Sequence, residues 1–275
     1  MRTLAVFVTV LSVAAVSQAD VLFETNFAAA SDINGLNGSG AGQFNGWQYI
    51  DAGATSVGIS PTMHVLDTAN DKLSLISNGP TGRSGAGIAR QYFDGVNNTK
   101  YEVVRFNLDL GFAYPAGAVE DNAAGICFGV NYGTAYNNST SFLRFNLDYG
   151  ATGVVFENGT ETLSELAYGR YDLDFMCNGS AASITYDNAT GGTSSIAPGK
   201  IDIWAGATKL GTFTADSATG GMYGFSLRTD EYVYGEPLNL DIYKAAAYNS
   251  LDVPEPATVA LLGLGGIATV LRRKR

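Results

Sequence analysis

The feature that most limits the folds open to this chain is a one-by-one alternation of apolar and polar side chains. In residues 101–110, one face carries Val104, Phe106, Leu108 and Leu110, and the intervening positions are charged or amide residues. Residues 141–149 and 170–177 repeat this pattern. Because successive side chains of a strand point to opposite faces, each such segment buries one face and solvates the other. The pattern predicts antiparallel sheets rather than helices or buried parallel strands.

Similar segments recur along the chain and are separated by turns rich in Gly, Asn, Asp and Ser. We predict strands over residues 21–27, 47–50, 72–77, 87–93, 101–110, 141–149, 170–177, 182–186, 200–204, 209–213, 222–227 and 238–248. Helical spacing is limited to a weak turn near residues 161–166. About a dozen strands in one domain, residues 20–252, predict an all-β fold: a two-sheet antiparallel, jelly-roll-like sandwich.

The pentapeptide Arg-Phe-Asn-Leu-Asp occurs twice, at residues 105–109 and 144–148. No wider repeat surrounds either copy. Two core strands that meet similar neighbours explain the recurrence without an internal duplication.

Residues 1–19 have the pattern of an N-terminal export signal. Arg2 supplies a positive charge, an apolar segment covers residues 4–16, and small residues precede a cleavage site between Ala19 and Asp20. The apolar segment is too short for a membrane span, which needs about 20 residues. We therefore expect a cleaved signal peptide, export through the Sec translocon and folding outside the cytoplasm.

Residues 253–275 contain three successive elements. The first is a short motif of Val253, Pro254, Glu255 and Pro256. The second is an uncharged segment, residues 257–271, and the third is a basic cluster of Arg272, Arg273, Lys274 and Arg275. A helix over 257–271 would be about 22 Å long, so as a transmembrane helix it needs bilayer thinning or snorkelling of the flanking basic side chains. The positive-inside rule places the basic cluster in the cytoplasm and residues 20–252 on the far side.

This tail resembles the PEP-CTERM protein-sorting signal of bacteria, because the Pro-Glu-Pro motif, the apolar helix and the basic cluster occur in that order. The resemblance implies recognition and cleavage near Pro-Glu-Pro by an exosortase, a membrane-embedded cysteine transpeptidase. It also implies a Gram-negative cell that produces extracellular polysaccharide. An ordinary C-terminal membrane anchor is the alternative, and it predicts that the mature protein keeps residues 257–275.

A second resemblance concerns the sandwich. The opening segment 23–27, Trp47 and the closing segment 239–243 resemble the pattern of concanavalin-A-like and laminin-G-like sandwiches. It implies the same lectin-like architecture that the alternation predicts.

The charge balance argues against a nucleic-acid partner. Residues 20–254 contain 11 basic and 25 acidic residues, a net charge of about −14. Nucleic-acid binding needs clustered Lys and Arg to neutralise phosphates. The excess of acid favours neutral sugars or cation-bridged partners over acidic polymers.

Catalytic signatures are weak. Asp172 and Asp174 share a strand face at roughly 7 Å, a separation that glycoside hydrolysis can use. The Glu-x-Asp-x-x-Glu signature of family-16-type glucanases is absent, so we expect solvated carboxylates on the outer face. His64 is the single histidine and lacks a Gly-x-Ser-x-Gly elbow, which indicates an ordinary strand residue. We predict no catalytic residues, with a carbohydrate-active enzyme on a lectin-like sandwich as the alternative.

Two further candidates stay open. Export permits a disulfide between Cys127 and Cys177, the alternative being two separate buried thiols. Asp67, Asn70 and Asp71 cluster in a segment that could offer oxygen ligands to Ca²⁺, the alternative being a plain Asx turn. No other cofactor or metal is expected, because two Cys and one His provide little material for a zinc site.

Tyrosine is the abundant candidate for binding. The pairs Tyr132/Tyr136 and Tyr232/Tyr234 lie in Gly- or Asn-rich segments, where aromatic rings could stack on sugars. Tyrosine is also a common strand residue. We expect an exported, non-enzymatic protein of the cell surface or extracellular matrix, with a structural or adhesive role and contact with extracellular polysaccharide.

Overall fold

The structure is a computed structural model that describes residues 20–38, 43–51, 54–77, 86–93, 99–113, 120–128, 142–159, 161–216, 221–229 and 238–251. Within these ranges the one helical element is a 3₁₀ turn, Ile33–Leu36, capped by Asp32. The strands, in chain order, are β1 (Val21–Thr25), β2 (Gly46–Asp51), β3 (Ala54–Val57), β4 (His64–Asp67), β5 (Lys72–Ser77), β6 (Ala86–Tyr92), β7 (Val103–Phe112), β8 (Glu120–Phe128), β9 (Leu143–Tyr149), β10 (Gly153–Glu157), β11 (Leu166–Ala167), β12 (Gly169–Asn178), β13 (Ile184–Asp187), β14 (Thr193–Ile196), β15 (Lys200–Ala205), β16 (Thr208–Thr214), β17 (Gly224–Thr229) and β18 (Leu238–Tyr248).

Two large antiparallel sheets contain most of these strands. Sheet I has the order β16-β15-β12-β7-β18-β5-β4, and β1 pairs with the second half of β18. Sheet II has the order β11-β10-β9-β8-β17-β6-β2-β3. Strands β13 and β14 form a separate hairpin. The predicted all-β fold with two antiparallel sheets is confirmed.

One main hydrophobic core joins the two sheets. Phe106 of sheet I stacks on Phe128 of sheet II with ring centroids 4.3 Å apart. Phe145 of sheet II contacts Phe213 of sheet I at 4.7 Å. Because fully burying a side chain of this size contributes about 1.5–3 kcal/mol, the inward residues of the alternating segments hold the sheets together.

Strand bounds follow the prediction closely in three strands, whereas β7 lies two residues further along the chain than the predicted 101–110. β5 and β18 have the predicted bounds, and β12 extends one residue further at each end. The prediction misses β3, β8, β10, β11 and β14. β8 begins with polar residues and contains Gly125, so only its second half alternates. In place of the expected helical turn, Thr162 forms a bridge with Glu157 and β11 follows.

The two Arg-Phe-Asn-Leu-Asp segments lie on β7 and β9, one in each sheet. Their phenylalanines, Phe106 and Phe145, both contact Phe128, at 4.3 and 6.1 Å between ring centroids. Both segments are thus core strands with a shared neighbour.

Both termini of the chain fall outside the described ranges. They include the predicted signal peptide, residues 1–19, and the tail that contains the predicted transmembrane helix, residues 257–271. Within the described part of the chain, no helix has the length and apolar character needed to cross a membrane.

Candidate functional site

The outward side chains of the two sheets form two surfaces of different character. Face I consists of the outward residues of sheet I, including Arg105, Asn107, Asp109, Asp172 and Asp174. Face II consists of the outward residues of sheet II, including Arg90, Cys127, Arg144, Asn146, Asp148, Glu157, Ser226 and Arg228. Each side chain alternates with an inward neighbour that lies in the core.

On face I, residues of β7 hold the carboxylates of Asp172 and Asp174. The Nε and Nη2 atoms of Arg105 lie 2.8 and 2.7 Å from Oδ1 of Asp174. The amide nitrogen of Asn107 donates to Asp172 at 2.6 Å and to Asp174 at 3.1 Å. These contacts fix both carboxylates to the sheet.

The two carboxylates differ in exposure. Asp172 is exposed, as predicted, but Asp174 is only 8% exposed, so the prediction of a solvated carboxylate is wrong for Asp174. Burial raises the pKa of the Asp174 carboxyl, and the positive charge of Arg105 acts against that rise. Since the Arg105 and Asn107 contacts occupy both groups, we infer that this pair serves the fold.

Three other cations along face I follow one geometric rule. Each contacts a carboxylate that lies one strand across and two residues along, as Arg105 does with Asp174. The pairs and their N···O distances are Arg170–Asp109 at 2.6 Å, Lys72–Asp241 at 2.7 Å and Lys209–Asp202 at 2.8 Å. Opposite charges therefore neutralise each other across this face.

The β13–β14 hairpin packs against one end of face I. Tyr186 of the hairpin forms a small apolar cluster with Met176, Trp204 and Ile196. Its hydroxyl donates to Oδ2 of Asp202 at 2.8 Å and accepts from Nε1 of Trp204 at 2.9 Å. The hairpin therefore covers both apolar side chains of face I, Met176 and Trp204, and the carboxylate of Asp202.

Face II presents three arginines on its central strands. In cross-strand register, one row reads Arg144, Cys127, Ser226 and Arg90, and the next reads Asn146, Gly125 and Arg228. The residues between the arginines are small. Arg144 and Arg228 are half-buried, and Arg90 is 3% exposed. The sequence analysis missed these arginines as a group, because β8 and β17 bring them together from segments far apart in the chain.

Face II also holds a carboxylate pair that the sequence analysis missed. Asp148 of β9 and Glu157 of β10 are both half-buried, and Glu157 pairs in register with Asn146. Diagonal neighbours of this kind are about 7–8 Å apart. The sequence does contain a signal for this pair. A Gly-rich turn follows the alternating segment 143–149, and it predicts a hairpin that would bring residues 148 and 157 onto neighbouring strands.

The two cysteines are buried at separate places and form no disulfide. Cys127 points away from the core and packs against Tyr92 on face II. Cys177 lies in the core between the sheets, and burial raises the pKa of its thiol well above the usual value. Because the residues occupy different sheets and different layers, the structure has the alternative of two separate buried thiols instead of a disulfide.

His64 is a buried residue at the start of β4. Its Nδ1 lies 2.9 Å from the backbone nitrogen of Ser60, and its Nε2 lies 3.1 Å from that of Ile88. The ring packs edge-on against Trp47. A neutral imidazole accepts one hydrogen bond and a protonated one accepts none, so these amides favour a neutral ring that joins both sheets.

The segment that could offer ligands to Ca²⁺ forms the tight turn between β4 and β5. Oδ1 of Asp67 accepts from the backbone nitrogens of Ala69 and Asn70, and Oδ2 accepts from the Asn70 side chain at 2.7 Å. Asp71 has a positive φ of 49°. Hydrogen bonds within an Asx turn thus occupy Asp67. The described residues contain no group of three His, Cys, Asp or Glu that could hold a metal.

Several predicted site residues fall outside the described ranges. They are the signal-cleavage residue Ala19, the tail residues 253–256 and 272–275, and Tyr132, Tyr136, Tyr232 and Tyr234. Asp20, the first residue after the predicted cleavage, is described. Its backbone nitrogen donates to Oδ1 of Asn249 at 2.8 Å, so the start of the domain is fastened to the end of β18.

The C-terminal residues match a known family. Residues 252–275 fit the PEP-CTERM protein-sorting motif. The chain therefore carries this motif, and the resemblance of the tail is confirmed. The motif implies an exported protein that is transiently anchored in the membrane and processed by an exosortase-type partner.

No curated protein matches the chain. Among solved structures, the fold is similar to a sialidase at 9% identity and a TM-score of 0.43, over 64% of this chain and 15% of that one. It is also similar to alginate lyase AlgAT5 from Polysaccharide Lyase family 7, at 9% identity and a TM-score of 0.44. This match covers 74% of this chain and 93% of that one. The Ca²⁺/Man-bound exoplasmic/lumenal domain of VIP36 matches at 9% identity and a TM-score of 0.43. This match covers 80% of this chain and 90% of that one.

Proposed function

We propose that this protein is an exported component of the cell surface or extracellular matrix, with a structural or adhesive role that includes contact with glycans. The observation that carries the proposal is the sorting motif at 252–275, which follows closely after β18. β18 pairs with β7 on one side and with β5 and β1 on the other. A tail joined to such a central strand tethers the whole sandwich.

The contacts of Asp172 and Asp174 support a non-enzymatic role for face I. Both carboxylates contact Asn107, and Asp174 also contacts Arg105. A general acid and base must be free to reach a substrate or a water molecule. Groups held in this way are better suited to stabilising the sheet.

Mass spectrometry of the surface or released protein in the producing cell tests the proposal. We expect a mature form that begins at Asp20 and lacks residues 257–275. Replacing Pro254, Glu255 and Pro256 by alanine should leave the tail intact and retain the protein in the membrane. Pro198→Ala, in an exposed turn, is the control and should be processed normally. An intact C-terminal peptide in the wild-type surface form would contradict the proposal.

A second candidate function is a carbohydrate-active enzyme, and the face II carboxylates favour it. The inferred spacing of Asp148 and Glu157 lies within the range of about 5–9.5 Å used by glycoside hydrolases. Release of reducing ends from a polysaccharide panel tests this candidate. We would expect Glu157→Gln and Asp148→Asn each to abolish turnover. Asp109→Asn, the matching position of the other pentapeptide, should keep it. The absence of turnover in the wild type would exclude this function for the polysaccharides tested.

A further inference from the structure

We propose that strand β3, at the edge of sheet II, pairs in antiparallel fashion with the same strand of a second copy of this chain. The contact is made by the backbone groups of Thr55 and Val57, and it joins the two copies of sheet II into one continuous sheet. This inference goes beyond the proposed function, because it assigns the domain a partner independently of export and of contact with glycans.

The hydrogen bonds between β2 and β3 leave two residues of β3 with outward backbone groups. The nitrogen of Gly58 donates to the backbone oxygen of Trp47 at 2.8 Å, which sets the phase of the ladder. Since bonded and non-bonded pairs alternate along an antiparallel ladder, the N–H and C=O groups of Thr55 and Val57 point away from β2. No hydrogen bond joins these groups to another residue that the structure describes, and β3 is the last strand of sheet II on this side.

The surface around β3 suits contact with another copy. The Val57 side chain is 84% exposed, more than any other large hydrophobic side chain in the described part of the chain. Residues 54–63 contain no charged residue, although residues 20–254 carry a net charge of about −14. Two copies of so acidic a domain repel each other, so a contact between them needs a segment without charge.

The other edges of sheets I and II, within the described ranges, each have a feature that hinders pairing. At the outer edge of β16, the carboxylate of Glu161 accepts from the backbone nitrogen of Thr214. On β4, the backbone nitrogen of His64 donates to the oxygen of Ser60 at 2.9 Å. β1 carries Glu24 and a bulge, and β11 has only two residues. Charges, bulges and covering segments commonly protect edge strands, and β3 has neither a charge nor a bulge.

One register of two β3 strands satisfies all of the outward groups. When Ser56 of one copy lies opposite Ser56 of the other, Thr55 of each copy exchanges both of its backbone hydrogen bonds with Val57 of the partner copy. A twofold axis relates these bonds, so the pair is closed and no third copy can join at β3. Addition of a strand to an exposed sheet edge is a recurring mode of recognition between proteins.

The contact is small, because each copy contributes one short strand. Stable interfaces bury about 1,200–2,000 Å², so we expect a weak dimer in dilute solution. Copies held at one surface or in one matrix meet at a high effective concentration, which favours pairing there. Added salt should strengthen the dimer, since it screens the repulsion between the two acidic domains.

Analytical ultracentrifugation of the full-length chain, purified in detergent, tests the inference over a range of protein concentrations. We expect a monomer–dimer equilibrium that shifts toward dimer with added salt. Val57→Lys should weaken dimerisation about tenfold or more, because a lysine on an edge strand disfavours pairing. Val65→Lys, at an exposed valine of β4, is the matched control and should dimerise like the wild type.

Thr55→Pro is a second variant that acts on the backbone alone. The N–H group of Thr55 points away from β2, so proline removes no hydrogen bond between β2 and β3 but removes one that the dimer needs. It should also weaken dimerisation about tenfold or more.

A disulfide crosslink tests the register. In the proposed pairing, the two copies of residue 56 form a non-hydrogen-bonded pair with Cα atoms about 4.5 Å apart, a distance that a disulfide can bridge. Ser56→Cys should therefore give a covalent dimer on oxidation. Thr185→Cys, at an exposed residue of the β13–β14 hairpin, is the control and should stay monomeric. The native cysteines are buried and should contribute little background.

A chain that stays monomeric at every concentration, open-ended oligomers in place of a dimer, wild-type dimerisation of Val57→Lys or equal crosslinking of Thr185→Cys would overturn the inference. A dimer held by the tail would not respond to changes in β3, so it would count as such a failure. Tail processing is measured separately by mass spectrometry, and the proposed function is therefore judged on its own result.

Discussion

The two copies of Arg-Phe-Asn-Leu-Asp allow the same five residues to be compared in two sheets. On the inward side they behave alike, since Phe106 and Phe145 both contact Phe128. On the outward side they differ. Arg105 of face I contacts the carboxylate of Asp174, whereas Arg144 of face II lies opposite Cys127 in register. The inward role is set by the segment itself, but the outward role is set by the strand beside it.

The difference has a simple physical origin. β12 supplies carboxylates at the positions diagonal to the β7 cations, so that face I is a set of local ion pairs. β8 supplies a glycine and a cysteine beside the second copy, so the face II arginines have small neighbours in register. We infer that the ion pairs of face I contribute to the stability of sheet I.

The largest expected effect comes from breaking the buried pair on face I. Asp174→Ala leaves the Arg105 guanidinium buried without its carboxylate, which should cost about 3–5 kcal/mol of unfolding free energy. Asp172→Ala, on the same strand but exposed, should cost much less. Urea unfolding of the purified protein measures both. Equal losses for the two variants would contradict the distinct role of Asp174.

Replacing both partners sharpens this comparison. The double variant Asp174→Leu with Arg105→Met removes the charges together, and it should recover most of the stability lost in Asp174→Ala. The corresponding change on face II, Arg144→Met alone, should cost less than Asp174→Ala, because Arg144 is half-buried whereas Arg105 and Asp174 are buried. A large loss from Arg144→Met would remove the contrast between the two faces.

A smaller effect is expected at the hairpin that covers face I. Tyr186→Phe deletes the hydroxyl between Asp202 and Trp204 and leaves the Trp204 N–H without its acceptor. The expected loss is about 1–3 kcal/mol. Thr185→Ala, an exposed residue of the same hairpin, should change the unfolding free energy little. If both variants unfold like the wild type, the polar contacts of the hairpin do not stabilise face I.

The sequence specified the layers of this fold better than its surfaces. Strong alternation in β7, β9 and β12 predicted both the strand and its buried side. The half-polar β8 was not predicted because Gly125 interrupts its pattern, although β8 is a central strand of sheet II that pairs with β9 and β17. The contact of Arg105 with Asp174 joins residues 69 positions apart. Such pairs depend on which strands become neighbours, and alternation within one strand carries no information about that.

The smallest expected effect lies at the boundary between the two sheets. Glu161 follows β10 of sheet II, and its carboxylate accepts hydrogen bonds from the backbone nitrogen and hydroxyl of Thr214 on β16 of sheet I. The hydrogen bond from the Thr214 backbone lowers the pKa of Glu161 below its ordinary 4.5.

A lowered folded-state pKa stabilises the protein above the unfolded value, and this stability is lost as the pH falls through the folded value. The stability advantage of wild type over Glu161→Gln should therefore be largest near pH 6 and should shrink toward pH 3. Chemical unfolding at a series of pH values measures this, with Glu165→Gln, an exposed carboxylate nearby, as the control. A pH-independent difference would mean that the charge of Glu161 plays no part in joining the sheets. The contact between Glu161 and Thr214 would then join sheet II to sheet I without a contribution from the carboxylate charge.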